Sequence, residues 1–168
     1  MRTKLRALGE RIAYYEWAYG FLAEADSDIG PIAEWLIGKA LDCLPKSRRV
    51  NAKYDLVLPD GRGIEVKATA NRKKVNSKSP IYRWNVNTQM HSGKTDAIAP
   101  LWFFLIANFP VDAKDRRRFD VFDPRYWSVY IVTGDQLATT GITRYVTETT
   151  MRRLGIAPIP LAELKNHI

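Results

Sequence analysis

Hydrophobic and polar positions alternate on both sides of Pro59-Asp60-Gly61, and this pattern predicts a β-hairpin within residues 52–70. Proline presets the backbone of the first loop residue, and glycine accepts the left-handed conformation that closes a three-residue loop. This loop pairs Leu56 with Ile64. The hairpin then has an apolar face (Tyr54, Leu56, Leu58, Ile64, Val66, Ala68) and a polar face (Lys53, Asp55, Glu65, Lys67, Thr69). A two-residue turn at 60–61 would slip the register by one residue and mix Glu65 with the leucines, so the three-residue loop is favoured.

In the favoured register Asp55 lies directly opposite Glu65 on the polar face. Two carboxylates in this position repel each other, whereas a solvated face would more naturally place opposite charges together. A diagonal Asp55–Lys67 ion pair on the surface would contribute almost no stability. A divalent cation between the carboxylates removes the repulsion, and Mg²⁺ binds through one or two carboxylates while keeping water or phosphate ligands. We therefore favour a metal site over a solvated hairpin face.

The same residues resemble the motif of the PD-(D/E)xK nuclease superfamily, which includes type II restriction endonucleases, Holliday-junction resolvases and very-short-patch repair nucleases. The resemblance rests on Asp55, followed by Glu65-Val66-Lys67 on the second strand. It implies that Asp55 and Glu65 bind Mg²⁺, for which Mn²⁺ substitutes, and that the backbone carbonyl of Val66 is a further ligand. Lys67 would position or activate the attacking water. One departure from the motif is Tyr54, where the superfamily has proline.

Two further residues enter through the resemblance. A helix is predicted over residues 29–44, with Pro31 in its first turn, and Glu34 interrupts its apolar surroundings. A glutamate near a helix N-terminus also complements the helix dipole. In the superfamily, however, a glutamate on this helix often completes the metal site. Some members place a glutamine downstream of the motif near the scissile phosphate, which makes Gln89 a candidate site residue.

The rest of the chain predicts an α/β fold. Residues 3–25 have the spacing of a helix seam, which indicates either packing on the same domain or a contact between two copies in a homodimer. The continuous apolar run 101–109 predicts a strand buried on both faces at the centre of a sheet. Other predicted elements are strands at 81–87, 119–122 and 127–132, a helix from 133 and a short helix at 161–166. We expect one domain over residues 1–168, with the restriction-endonuclease-like central mixed β-sheet flanked by α-helices that the resemblance implies.

The composition and charge of the chain also predict a binding partner and a cellular compartment. The net charge is +8 and the isoelectric point is near 9.7, which favours binding to phosphate backbones. No membrane span or signal peptide is visible, and with a single cysteine we expect an intracellular protein. Together with the resemblance, this leads us to expect a cytoplasmic protein of a prokaryote or phage. The basic residues next to the hairpin are the predicted DNA contacts: Arg48, Arg49, Lys53, Arg72, Lys73, Lys74 and Lys78.

The sequence therefore predicts an Mg²⁺-dependent DNA endonuclease of restriction or repair type. Two other interpretations stay open. One is a nuclease selective for branched DNA, like a Holliday-junction resolvase. The other is a module that binds nucleic acid on the same fold without cutting it.

Overall fold

The computed structural model describes residues 2–19, 29–48, 53–70, 82–86, 99–108, 120–142 and 144–168. Its α-helices are α1 (Arg2–Tyr19), α2 (Ile29–Ala40), α3 (Gly134–Thr139) and α4 (Glu148–Arg153). Its strands are β1 (Leu56–Val57), β2 (Gly63–Ala70), β3 (Arg83–Asn85), β4 (Leu101–Ala107), β5 (Trp127–Thr133), β6 (Tyr145–Thr147) and β7 (Ile159–Pro160). Two 3-10 helices cover Pro124–Tyr126 and Leu161–His167 within these ranges.

Five of the described strands form the main sheet, in the order β1-β2-β4-β5-β7. β2 and β4 run parallel, while the other neighbours are antiparallel, so the sheet is mixed. Every residue of β4 is buried, as predicted for the strand at the centre. The mixed α/β architecture predicted from the sequence is confirmed.

Each face of this sheet is covered by its own hydrophobic core. α1, α2 and the C-terminal 3-10 helix pack on one face, which we call the helical face. A second, two-stranded sheet of β3 and β6 packs on the other face, which we call the ribbon face, together with α3 and α4. Trp84 of β3 is the anchor, because its ring contacts Phe104 and Tyr130 and its indole N–H donates to the carbonyl of Leu105 at 2.8 Å.

The predicted strand at 119–122 is wrong over its described residues. Residues 120–122 form a turn, and the 3-10 helix Pro124–Tyr126 then leads into β5. Asp120 and Asp123 cause this, since each carboxylate accepts a backbone N–H two residues ahead, at 3.0 Å. Among the described side chains of α1, Tyr14, Tyr15 and Trp17 are buried, whereas Leu8 and Ile12 of the predicted seam are 54% and 38% exposed, so a contact between two copies through the seam stays a prediction.

No helix in the described ranges is long and apolar enough to cross a membrane.

Candidate active site

The β1–β2 hairpin has the predicted loop and register. Leu56 pairs with Ile64 and Val57 with Gly63. The Leu58 N–H donates to the Arg62 carbonyl at 2.9 Å, and Gly61 takes a positive φ of 89°. The three-residue loop and its glycine are therefore confirmed.

The pairing extends less far than the hairpin predicted over residues 52–70, because β1 begins only at Leu56, after Asp55. In a continued antiparallel ladder the Val66 N–H would donate to the main chain of Tyr54. Instead it donates to Asp55 Oδ2 at 2.7 Å. The predicted direct pairing of Asp55 with Glu65 is therefore wrong as a ladder pair, although this hydrogen bond keeps the Asp55 carboxylate beside the Glu65-Val66 peptide.

Tyr54 also departs from the prediction, which placed it with Leu56 on the apolar face. Its ring packs over Gly63 and joins the core of the ribbon face. A Cβ on Gly63 would come within 2.2 Å of that ring. The missing side chain at Gly63 thus makes room for the residue that precedes Asp55.

Glu65 and Lys67 lie side by side on the ribbon face of β2. Their neighbours across the parallel pair are Trp102 and Phe104 of β4. The Lys67 ammonium forms a hydrogen-bonded ion pair with the Glu65 carboxylate, and both side chains remain about one quarter exposed, at 28% and 23%. Lys67 Nζ lies 6.0 Å from the centre of the Trp102 ring, so the indole is the aromatic neighbour of the ammonium.

Glu34 of α2 is 7% exposed and is held by Arg48. The guanidinium donates from Nε to one carboxylate oxygen at 2.9 Å and from Nη2 to the other at 2.8 Å. α1 fixes the segment that carries Arg48, since the Arg48 N–H donates to the Trp17 carbonyl and the Trp17 indole donates to the Pro45 carbonyl. α1 therefore helps to position Arg48, which in turn holds Glu34.

The carboxylates of the hairpin and of α2 influence each other. Burial raises the pKa of Glu65, and the negative charges of Asp55 and Glu34 raise it further, against the opposing effect of Lys67. Burial likewise raises the pKa of Glu34, with Asp55 adding to it while Arg48 and Lys67 oppose it. The site thus combines three carboxylates with two cations, and a further positive charge would stabilise the ionised carboxylates. We call Glu34, Arg48, Asp55, Glu65 and Lys67 the charged cluster.

The donor set suits a cation bound by two carboxylates more than one bound by three. Among the described residues, no three or more His, Cys, Asp or Glu side chains are grouped closely enough to hold a metal ion together. Both oxygens of Glu34 accept hydrogen bonds from Arg48, so its role as a ligand stays a prediction. Asp55 and Glu65 each have an oxygen outside the hydrogen bonds described above, which fits a hard cation that keeps other oxygen ligands from water or phosphate.

Most of the predicted DNA contacts lie outside the described residues. These are Arg49, Arg72, Lys73, Lys74 and Lys78, together with the candidate site residue Gln89. Lys53 is exposed, with its ammonium 5.1 Å from the centre of the Tyr54 ring. Arg48 is paired with Glu34 inside the charged cluster, which makes it a residue of the site as well as a predicted DNA contact.

Sequence reasoning missed Trp102 and did not foresee the ion pair of Arg48 with Glu34. In the sequence Trp102 is only one residue of an apolar run. Nothing near it in the chain indicates that its strand will lie beside Glu65. The parallel pairing of β2 with β4 decides that neighbour.

No known protein family matches this chain, and a search of curated proteins finds no related sequence.

Proposed function

We propose that this chain hydrolyses phosphodiester bonds in DNA with a divalent cation bound at the charged cluster. The observation that carries the proposal is the hydrogen bond from the Val66 N–H to Asp55. It brings the Asp55 carboxylate beside Glu65 and Lys67, on a hairpin next to a buried glutamate. Catalytic sites commonly hold carboxylates in buried positions where they raise each other's pKa, and the pKa values of both Glu34 and Glu65 are raised by burial and by the charge of Asp55.

The proposal includes a restriction-endonuclease-like arrangement. In support of it, α2 precedes the hairpin in the chain and packs against β2, and β2 runs parallel to the central strand β4. Glu65 and Lys67 then lie partly buried on the ribbon face of β2, while Ile64 and Val66 fill the core on the helical face.

In this mechanism Asp55 and Glu65 would hold Mg²⁺, which would offset negative charge on the phosphate and lower the pKa of a water molecule. The Val66 N–H keeps the Asp55 carboxylate oriented. Lys67, placed between Glu65 and the Trp102 ring, directs the attacking water and offsets charge that develops during attack. Arg48 holds Glu34 so that the third carboxylate stays beside the other two.

The experiment is incubation of supercoiled plasmid, branched DNA and RNA with Mg²⁺, with Mn²⁺ and with EDTA. Cation-dependent nicking or linearisation of the plasmid supports the proposal. Cutting confined to branched DNA in the same metal would favour the resolvase alternative. Binding without cutting in any metal would favour the non-catalytic module.

A further inference from the structure

The two-stranded sheet of β3 and β6, which we call the ribbon, has an inner and an outer side. Trp84 and Val146 pair across the strands and are 1% and 0% exposed against the main sheet. Their neighbours must therefore turn outward. The outward residues are Arg83, Asn85, Tyr145 and Thr147, and Arg144 extends the strand through its carbonyl, which accepts the Val86 N–H at 2.9 Å.

Two arginines are held on one tyrosine of this outer side. The guanidinium carbon lies 4.3 Å from the centre of the Tyr145 ring for Arg83 and 5.0 Å for Arg144. Both arginine residues are exposed, and within the described ranges no carboxylate forms a salt bridge with either of them. Contact with an aromatic ring restricts a guanidinium while leaving its N–H donors free for an anion.

The ribbon lies next to the charged cluster. β3 packs against β2 on the ribbon face, where Glu65 and Lys67 also lie. Phe104 connects the two, because it is the strand neighbour of Lys67 and its ring contacts Trp84, with 5.5 Å between ring centres. The ribbon is therefore packed beside the strand that carries the proposed reaction centre.

We propose that the outer side of the ribbon binds the phosphate backbone of duplex DNA, through Arg83 and Arg144, and guides the duplex to the charged cluster. This inference rests on the proposed function, because it assigns the surface that holds that site's substrate. The charge is complementary to DNA, and guanidinium groups match phosphate oxygens with paired hydrogen bonds.

A duplex fits this surface better than a single strand. Proteins that bind single strands use open aromatic faces on which bases stack. The Tyr145 ring is already engaged by two guanidinium groups, and Trp84 is turned inward. The DNA major groove, in contrast, admits a two-stranded β-ribbon of this kind, whose outward polar side chains can contact the bordering phosphates.

The test is equilibrium binding of a short labelled duplex to the full chain in EDTA, where cation-dependent cutting cannot occur, over a series of salt concentrations. The variants are Arg83→Gln, Arg144→Gln and the double substitution. The control is Arg125→Gln, which removes the same charge from an exposed arginine that is paired with Asp123 on the helical face. Tyr145→Leu tests whether the ring strengthens DNA binding by holding the two arginines in place.

We expect each ribbon arginine to contribute one phosphate contact. The slope of log affinity against log salt should then fall by roughly one for each arginine removed, while the control keeps the parental slope. Tyr145→Leu should weaken binding with the slope retained. An unchanged slope in the double variant, or tighter binding of the matching single strand than of the duplex, would overturn the inference.

The binding result is separable from the proposed function. Wild type that cuts plasmid while the double variant binds normally would overturn only the ribbon assignment. A duplex bound through the ribbon but never cut in any metal would overturn only the nuclease assignment.

Discussion

The Arg48 guanidinium donates two hydrogen bonds to the Glu34 carboxylate, which ties the segment after α2 to the centre of α2 itself. Both side chains are largely withdrawn from water, with 27% of Arg48 and 10% of Glu34 exposed. Two hydrogen bonds in parallel to a carboxylate are stronger and more directional than a single contact. Arg48 thereby sets where the third carboxylate of the charged cluster can lie.

Arg48→Met should destabilise the protein by about 3 kcal/mol, because it leaves a buried carboxylate without its partner. The double variant Glu34→Gln/Arg48→Met should recover part of that loss. Unfolding in urea measures both. Lys165→Met is the control, since its ion pair with Asp42 is 71% and 75% exposed and should contribute less than about 1 kcal/mol. If Arg48→Met were as stable as wild type, the ion pair of Arg48 with Glu34 would have no structural role.

Gly63→Ala should destabilise the hairpin by roughly 1–3 kcal/mol, because the added methyl overlaps the Tyr54 ring. Gly9→Ala is the matched control. It lies in α1 with no atom within 4 Å of the added Cβ, so it should stabilise the helix by up to about 1 kcal/mol. Thermal unfolding of both variants gives the comparison. Equal effects of the same sign would contradict the packing described for Tyr54.

The free energy of unfolding should fall at high pH because the Tyr130 hydroxyl ionises more readily in the unfolded chain than in the folded protein. Burial raises its pKa to about 12, and the charge of Glu148, which accepts a hydrogen bond from the Tyr130 hydroxyl at 3.2 Å, acts in the same direction. In the unfolded chain the pKa is about 10. Its contribution is therefore complete below about pH 10 and is lost as the pH rises to about 12, because only the folded state keeps the proton in that window.

Tyr130→Phe removes this titration, so its free energy of unfolding should decline less than that of wild type over the same pH window. Urea unfolding at a series of pH values measures the difference in free energy of unfolding between the two proteins. The contributions of the other titrating groups cancel in that difference. Parallel curves would contradict the buried environment of the hydroxyl. At neutral pH the variant should lose about 1 kcal/mol, through its hydrogen bond to Glu148.

The hairpin was predictable because its information is local. Pro59 and Gly61 specify the loop, and the alternation of apolar and polar residues then specifies the register, both of which are confirmed. The buried central strand was predictable for a similar reason, since a short, continuous apolar run is typical of a strand covered on both faces.

Long-range geometry was not predictable from single residues. The Val66 N–H bonds to the Asp55 side chain because β1 begins only at Leu56, and nothing in the local pattern indicates where its pairing with β2 starts. The contact of Arg48 with Glu34 depends on α1, through hydrogen bonds at Trp17. Residues 120–122 formed a turn because two aspartates accepted backbone N–H groups, a local effect that the apolar pattern concealed.

Mg²⁺ should raise the melting temperature of the protein, because a cation that binds only the folded state stabilises it. At a Mg²⁺ concentration of 100 times the dissociation constant, the added stability is about 2.7 kcal/mol. Asp55→Asn should lose most of this increase, since it removes one of the two proposed ligands. An equal increase in both proteins would place the cation elsewhere.

The most direct test of the proposed function compares plasmid cleavage by Asp55→Asn and Asp60→Asn in Mg²⁺. Both aspartates belong to the same hairpin, but Asp60 lies exposed in its loop and pairs with Arg62. The account predicts that Asp55→Asn loses at least about 100-fold in rate, that Lys67→Ala does the same, and that Asp60→Asn cuts like wild type. Cleavage that survives in Asp55→Asn and Lys67→Ala, or no cleavage by wild type in either metal, would contradict the assignment of the charged cluster as a nuclease site.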